Sequence, residues 1–214
     1  VDLESYLLNC NLKYKVISVS GNIGEVRTEM LEYLKKANFT SIIFGDTDDY
    51  FPENRVAINK LLLNEYDVVA NDLCLVTEQE ELIADYYWRE REELKGVIDL
   101  SSISKYNFLG LGNTAIKTSI LPENVVFEEG IIAVDWMLFS RILNNTVKVG
   151  FTSETYIYYR QHEKNIVGRK VLSLEKFKRE FRVKLNHYTI LAKENKAFKD
   201  IAINYQSIVS KVEV

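Results

Sequence analysis

The sequence is short of cysteine, of long apolar runs and of surplus positive charge, and each shortage removes a class of protein. Only Cys10 and Cys74 occur among 214 residues. Two thiols in a chain of this length make neither a disulfide framework nor a zinc site, so a reducing, cytoplasmic setting is expected. Cys74 lies in the apolar stretch from Val68 to Val76 and reads as a small core residue. No apolar run approaches the ~20 residues that a membrane-spanning helix needs. Asp2 and Glu4 stand where a secretory signal would be basic, so no such signal is expected there. The formal net charge is -4. A binder of phosphate backbones needs concentrated positive charge, and nucleic acid is therefore not an expected partner.

What is present is a core-forming composition. Hydrophobic residues make up 47% and are mixed with charge throughout, which argues for one large α/β domain and against disorder. A short helix is expected at the start, ending near Glu4 to Leu8. Tyr14 to Ser20 then reads as a strand, followed by the turn residues Gly21, Asn22 and Gly24. From Glu25 the period changes: Val26, Met30, Leu34 and Ala37 share one helical face. Thr40 to Phe44 reads as a buried strand, Pro52 to Leu63 as a helix opened by proline, and Tyr66 to Val76 as another strand. This alternation predicts a mostly parallel sheet with helices on its faces. Thr77 to Leu100 is an excursion over the sheet, Asn107 to Ala115 a loop entering a strand, Val134 to Leu143 a helix, and Val147 to Tyr159 an extended segment. Leu174, Phe177, Phe181, Leu185, Tyr188 and Ala192 form a helical stripe. A catalytic domain over 1–168 with a helical C-terminal appendage over 169–214 is expected.

The sharpest chemical feature is Asp46, Asp48 and Asp49, directly after the apolar Ile42-Ile43-Phe44. In open α/β sheets, ligands bind outside the carboxyl ends of the strands. Carboxylates confined to one turn repel one another, and a divalent cation with its taste for oxygen ligands offsets that repulsion. The competing reading is a solvated acidic turn, since Asp and Thr are ordinary turn residues.

The surrounding residues extend the pattern. Phe44-Gly45-Asp46-Thr47-Asp48-Asp49-Tyr50-Phe51, followed by Pro52, resembles the aspartate signature of family-two glycosyltransferases. Gly24-Glu25-Val26-Arg27 resembles their glycine-led helix with an arginine. Val134-Asp135-Trp136 resembles their Glu-Asp-Trp element, and Tyr159-Arg160-Gln161-His162 their Tyr-Arg-any-His element. The resemblance covers roughly Val16 to Gly168. It implies a GT-A, Rossmann-like fold and transfer of a sugar from a nucleotide-diphosphate donor to a hydroxyl of a glycan or lipid-linked acceptor.

The resemblance also implies roles. Asp48 would be the direct ligand of Mn²⁺ or Mg²⁺, with His162 a further metal ligand or a surface histidine. Asp46 would orient ribose or donor sugar, and Asp49 would support the metal through water or cap the next helix. Asp135 matches the general base of inverting members, which takes the proton of the attacking hydroxyl; the alternative is a carboxylate interacting with its helix dipole. Trp136 and Asn113 are placed near donor sugar or acceptor, the latter behind glycines 110 and 112. Arg160 would hold the diphosphate or form a structural ion pair, and Arg27 would contact the nucleotide or a strand-end carboxylate. His187 reads as an ordinary helix residue.

Two departures stand out. Val134 replaces the usual Glu, and the family's opening strand with its base-recognising turn has no counterpart in Val1 to Lys13, so the first nucleotide-binding strand is expected to be missing from these residues. Arg169, Lys170, Lys176, Lys178, Arg179, Arg182 and Lys184 make a basic segment beside the C-terminal stripe. It is either a peripheral contact with an anionic membrane or the solvated face of a packed helix. Two other functions compete. One is a Mg²⁺-dependent phosphotransferase of the haloacid-dehalogenase type, with Asp46 as nucleophile and Asp48 as acid/base. The other is a catalytically silent sugar- or nucleotide-binding module.

Overall fold

The computed structural model describes Leu7 and residues 13–162 and 174–212, the side chain of Lys176 excepted. A mixed five-stranded sheet lies at its centre, with helices packed on both faces. Strand β2, Val68–Val76, is buried along almost its whole length, as its run of Val, Ala and Leu dictates. Along one edge it pairs in parallel with β5, Val149–Arg160. On its other edge it pairs antiparallel with β4, Thr114–Lys117, and then with the short β3, Leu82–Ala84. Strand β1, Ser41–Ile43, pairs antiparallel with β4.

Strands β1, β2 and β5 therefore share one direction, as the strand–helix alternation predicts. Strand β4 runs against them, wedged between β1 and β2. Its reversed entry has a useful consequence. The loop before β4 reaches the sheet where β1 finishes, beside the middle of β2.

Helix α1, Ile23–Lys36, starts with a reciprocal cap. The Glu25 N–H donates to Asn22 Oδ1 at 3.1 Å and the Asn22 N–H to Glu25 Oε2 at 2.7 Å, satisfying amides that no helix turn can pair. Helix α2 is Arg55–Leu62, α3 Leu100–Ile103 and α4 Val134–Leu143. Helices α5, Leu174–Glu194, and α6, Lys199–Val212, close the chain. Val68 and Ala70 face the main core with α1, α4, α5 and α6, whereas Val69 faces Leu63 and Ala115 on the other side. That is the two-residue period of a strand buried on both faces.

One expectation changes. Tyr14 to Ser20 pairs with no strand among the described residues, and Tyr14, Val16 and Ile17 are exposed. Its β-branched pattern is local, and no strand among the described residues lies beside it as a ladder partner. The helix expected at 4–8 lies outside the described residues apart from Leu7, which is helical. The boundary at 168/169, with Arg169 and Lys170, also falls outside them. The expected C-terminal helices pack on the sheet domain. Tyr188 and Tyr205 stack with centroids 5.6 Å apart, and both hydroxyls donate to the Ser104 carbonyl at 3.1 Å. Lys184 is buried, paired with Glu180 at 2.8 Å and surrounded by the rings of Tyr106, Trp136, Phe181 and Tyr205. Among the described residues no helix is long and apolar enough to cross a membrane.

Candidate active site at the strand ends

The site is built on a buried polar scaffold. Arg55, only 1% exposed, opens α2 beneath the acidic turn. Its guanidinium donates to the carbonyls of Phe44 at 2.7 Å and Gly112 at 2.9 Å and to Asn71 Oδ1 at 3.0 Å. It thus ties the end of β1, the loop before β4 and the middle of β2 into one unit. Asn71 and Asn59 exchange amide hydrogen bonds at 2.9 and 3.0 Å. Asn113 adds donations to the carbonyls of Asn71 at 2.7 Å and Phe108 at 3.0 Å. Burial lowers the Arg55 pKa to about 10, against the pull of Asp49 and Asp46, so it remains a cation at neutral pH.

The carboxylates gather around the loop that this scaffold holds. Asp46 pairs with Arg27 of α1 at 3.0 Å. A methyl on Gly112 would stand 2.7 Å from Asp46 Oδ2 and 3.6 Å from Asp49 Oδ2. A methyl on Gly110 would stand 3.6 Å from Asp135 Oδ2. The loop from Gly110 to Asn113 therefore lies between Asp135 on one side and Asp46 and Asp49 on the other, and at Gly112 a side chain would crowd the Asp46 carboxylate. Asp135 sits in the first turn of α4. Burial, followed at a distance by Asp46, raises its pKa despite the backbone N–H of Trp136 at 2.8 Å.

Asp49 accepts the backbone N–H of Arg160 at 2.9 Å. Burial, with smaller contributions from Asp48 and Asp46, pushes its pKa up to about 6. Asp48 is more open, and its Oδ2 lies 3.1 Å from His162 Nε2. Tyr159 reports the whole cluster: burial first, then Asp49, Asp48, Asp135 and Asp46, push its hydroxyl up to about 12. Four carboxylates from two distant parts of the chain thus share one neighbourhood at the strand ends.

Some expected site residues are turned elsewhere. Trp136 is a core residue whose Nε1–H donates to the Ile103 carbonyl at 3.0 Å and whose ring lies on His187 and Tyr188. The amide nitrogen of Asn113 is committed to the two carbonyls named above, so it fixes the loop. The Arg160 guanidinium donates to the Asp48 and Glu78 carbonyls, each at 2.9 Å, and pairs with Glu80 at 3.1 Å. It braces the acidic turn against the β2–β3 hairpin, which is the ion-pair alternative. Arg27 takes the carboxylate alternative. Sequence reasoning passed over Arg55, Asn59 and Asn71. A cation at a helix N-terminus opposes the dipole, and an amide within an apolar strand needs a partner; both are readable signals.

Among the described residues, no group of three or more His, Cys, Asp or Glu side chains is arranged to hold a metal. Asp48 and His162 offer two converging donors, one oxygen and one nitrogen.

No protein-family model matches the sequence, and no curated protein sequence matches it. Among solved structures the chain is similar to S. aureus TarS 1–349 in complex with UDP-GlcNAc. The TM-score is 0.55 and the identity 19%, over 95% of this chain. The chain spans 58% of that structure's length. The likeness is one of fold: a mixed α/β sheet flanked by helices, with helices at the C-terminal end.

Proposed function

We propose that the chain is a metal-dependent glycosyltransferase of the GT-A type, moving a sugar from a nucleotide-diphosphate donor to a hydroxyl acceptor with inversion. The observation behind this reading is the convergence of Asp46, Asp48, Asp49 and Asp135 on the loop from Gly110 to Asn113. They converge at the strand ends of a fold shared with a structure that holds UDP-GlcNAc. Crevices outside strand carboxyl ends are where α/β sheets bind their ligands.

In this reading the acceptor oxygen attacks the anomeric carbon as the bond from that carbon to the diphosphate oxygen breaks. The electron pair leaves with the nucleotide diphosphate, and the hydroxyl proton passes to Asp135. Its sheltered setting raises its proton affinity, which suits a general base. Asp46, held by Arg27, orients the ribose or donor sugar. Asp49 steadies the turn through the Arg160 amide.

The donor set fits Mn²⁺ or Mg²⁺. Asp48 and His162 would hold the ion, since such ions commonly take one or two protein ligands and complete their shell with substrate phosphates and water. When bound, the ion neutralises the charge that develops on the departing diphosphate. The phosphotransferase alternative fits less well, because its nucleophile would be Asp46, whose Oδ1 is engaged by Arg27.

Calorimetry with UDP-GlcNAc and GDP-sugars, with and without Mn²⁺, tests the donor site, and a turnover assay tests the base. Metal-dependent binding should weaken at least ~10-fold in Asp48→Ala, the lower end of what losing a metal-site group costs. Asp135→Asn should bind donor normally yet transfer sugar ~10²–10⁴-fold more slowly. Metal-independent binding indifferent to Asp48→Ala would sink the metal site. Binding without turnover in the unmutated chain would make it a silent nucleotide-sugar module.

A further inference from the structure

Strand β5 ends at the carboxylate cluster, and its side chains alternate between two faces. Tyr158 turns to one face, where its ring stacks on Tyr50 with centroids 4.4 Å apart, and Arg160 reaches the β2–β3 hairpin. Tyr159, between them, faces the other way. The peptide joining Tyr159 to Arg160 donates its N–H to Asp49 Oδ1 at 2.9 Å, which puts the Tyr159 backbone within about 6 Å of that carboxylate. Asp49, Asp48, Asp135 and Asp46 all act on its hydroxyl.

Tyr159 is half-buried, and its hydroxyl has no hydrogen-bond partner among the described residues. The cations nearby are engaged. Arg27 pairs with Asp46, Arg55 serves two carbonyls and Asn71, and Arg160 serves two carbonyls and Glu80. Ionised carboxylates only accept hydrogen bonds, so the cluster suits the hydroxyls of a sugar and repels a diphosphate. A phenolic donor among them matches the anion instead. It keeps its proton through the neutral range, because burial and the carboxylates push its pKa up to about 12.

Resting on the transferase reading, we propose that the Tyr159 hydroxyl is a further catalytic group, donating a hydrogen bond to a β-phosphate oxygen of the leaving nucleotide diphosphate. The electron pair of the breaking bond to the anomeric carbon passes to that phosphate, and its growing charge strengthens the hydrogen bond. The proton stays on the phenol. Asp135 and Tyr159 thereby divide the work: the carboxylate serves the attacking hydroxyl, the phenol the departing group. A donor aimed at charge that grows in the transition state contributes more to turnover than to ground-state binding.

The test compares wild type, Tyr159→Phe and Asp135→Asn with Mn²⁺, by calorimetry of UDP and UMP and by release of UDP from UDP-GlcNAc with water as acceptor. GDP, GMP and a GDP-sugar replace them should wild type prefer guanine. Tyr159→Phe should melt like wild type and lose ~10-fold in UDP affinity, the low end of what a hydrogen bond to a charged group contributes. Its UMP affinity should hold, because UMP lacks the β-phosphate. UDP release should slow ~10²–10³-fold in kcat, with KM changed less. Asp135→Asn should keep the wild-type ratio of UDP to UMP affinity. Binding of Mn²⁺ alone, read by electron paramagnetic resonance, should be equal in wild type and Tyr159→Phe. Should Tyr159→Phe melt early, 3-fluorotyrosine at position 159, a stronger donor, should raise UDP affinity, and no gain there would overturn the proposal. Equal UDP affinity in wild type and Tyr159→Phe would overturn it as well. So would a parallel loss of UDP and UMP affinity, or weaker binding of Mn²⁺ alone, since the hydroxyl would then serve the nucleoside monophosphate or the metal site. A wild-type chain that binds neither UDP- nor GDP-sugars would instead remove the transferase reading itself.

Discussion

At the scale of single residues, burial sets proton affinities more strongly than neighbouring charge does. The rise of Asp49 to about 6 and the fall of His187 to about 3 both have desolvation as their largest cause. For His187 the consequence is a pH-dependent stability. Its folded pKa lies below the ordinary 6.5, so the unfolded chain binds the proton more readily. The contribution is fully present above pH 6.5 and is lost as pH falls towards 3. Each proton taken up on unfolding steepens the loss by about 1.4 kcal/mol per pH unit. Urea unfolding of His187→Gln between pH 6.5 and 4 should therefore show a slope flatter by about that amount. An unchanged slope would mean that the ring is not kept neutral by its surroundings. A variant uniformly weaker at all pH values would report packing alone.

At the scale of elements, the decisive joint is the start of α2. Arg55 supplies hydrogen bonds to β1, to β2 through Asn71, and to the loop before β4. A methionine of similar reach would fill the volume yet take the guanidinium donor from two carbonyls and leave Asn71 Oδ1 with Asn59 alone. Removing one partner from a buried charged network costs about 3–5 kcal/mol. Arg55→Met should lose that much in urea unfolding, with donor affinity falling in the variant that remains folded, because the glycine loop loses its anchor. A loss below about 1 kcal/mol would mean that the loop is held by Asn113 alone.

At the scale of the whole molecule, residues 174–212 share one core with the sheet. Tyr188, Leu191, Phe198 and Tyr205 belong to the same buried cluster as Val68, Ile116 and Phe139. Trp136 of α4 touches His187 and Tyr188 of α5, so its fluorescence reports on that junction. Tryptophan fluorescence and far-UV circular dichroism should give coincident midpoints on denaturation, the behaviour of one cooperative unit. An early transition in fluorescence, with most helicity retained, would make residues 174–212 a separable unit.

What the sequence determined by itself is what is local. Periodicity located β1, β2, α1, α4 and α5 close to their observed bounds, because burial on one or two faces leaves its imprint within a few residues. The acidic turn was equally legible, since an apolar strand ending in carboxylates needs no distant partner to be noticed. Tertiary structure decided the rest. The pattern of Thr114–Lys117 says strand but not direction, and only its pairing between β1 and β2 carries the glycine loop to Asp46 and Asp135. Tyr14 to Ser20 has a strand's pattern without a ladder among the described residues. Trp136 and Asn113 are expected near substrate, and Arg160 at the diphosphate or in an ion pair, and their polar groups meet carbonyls or carboxylates from other segments. A side chain's period shows which face it occupies, but the hydrogen-bond partner waiting on that face comes from remote sequence, and burial obliges the two to pair.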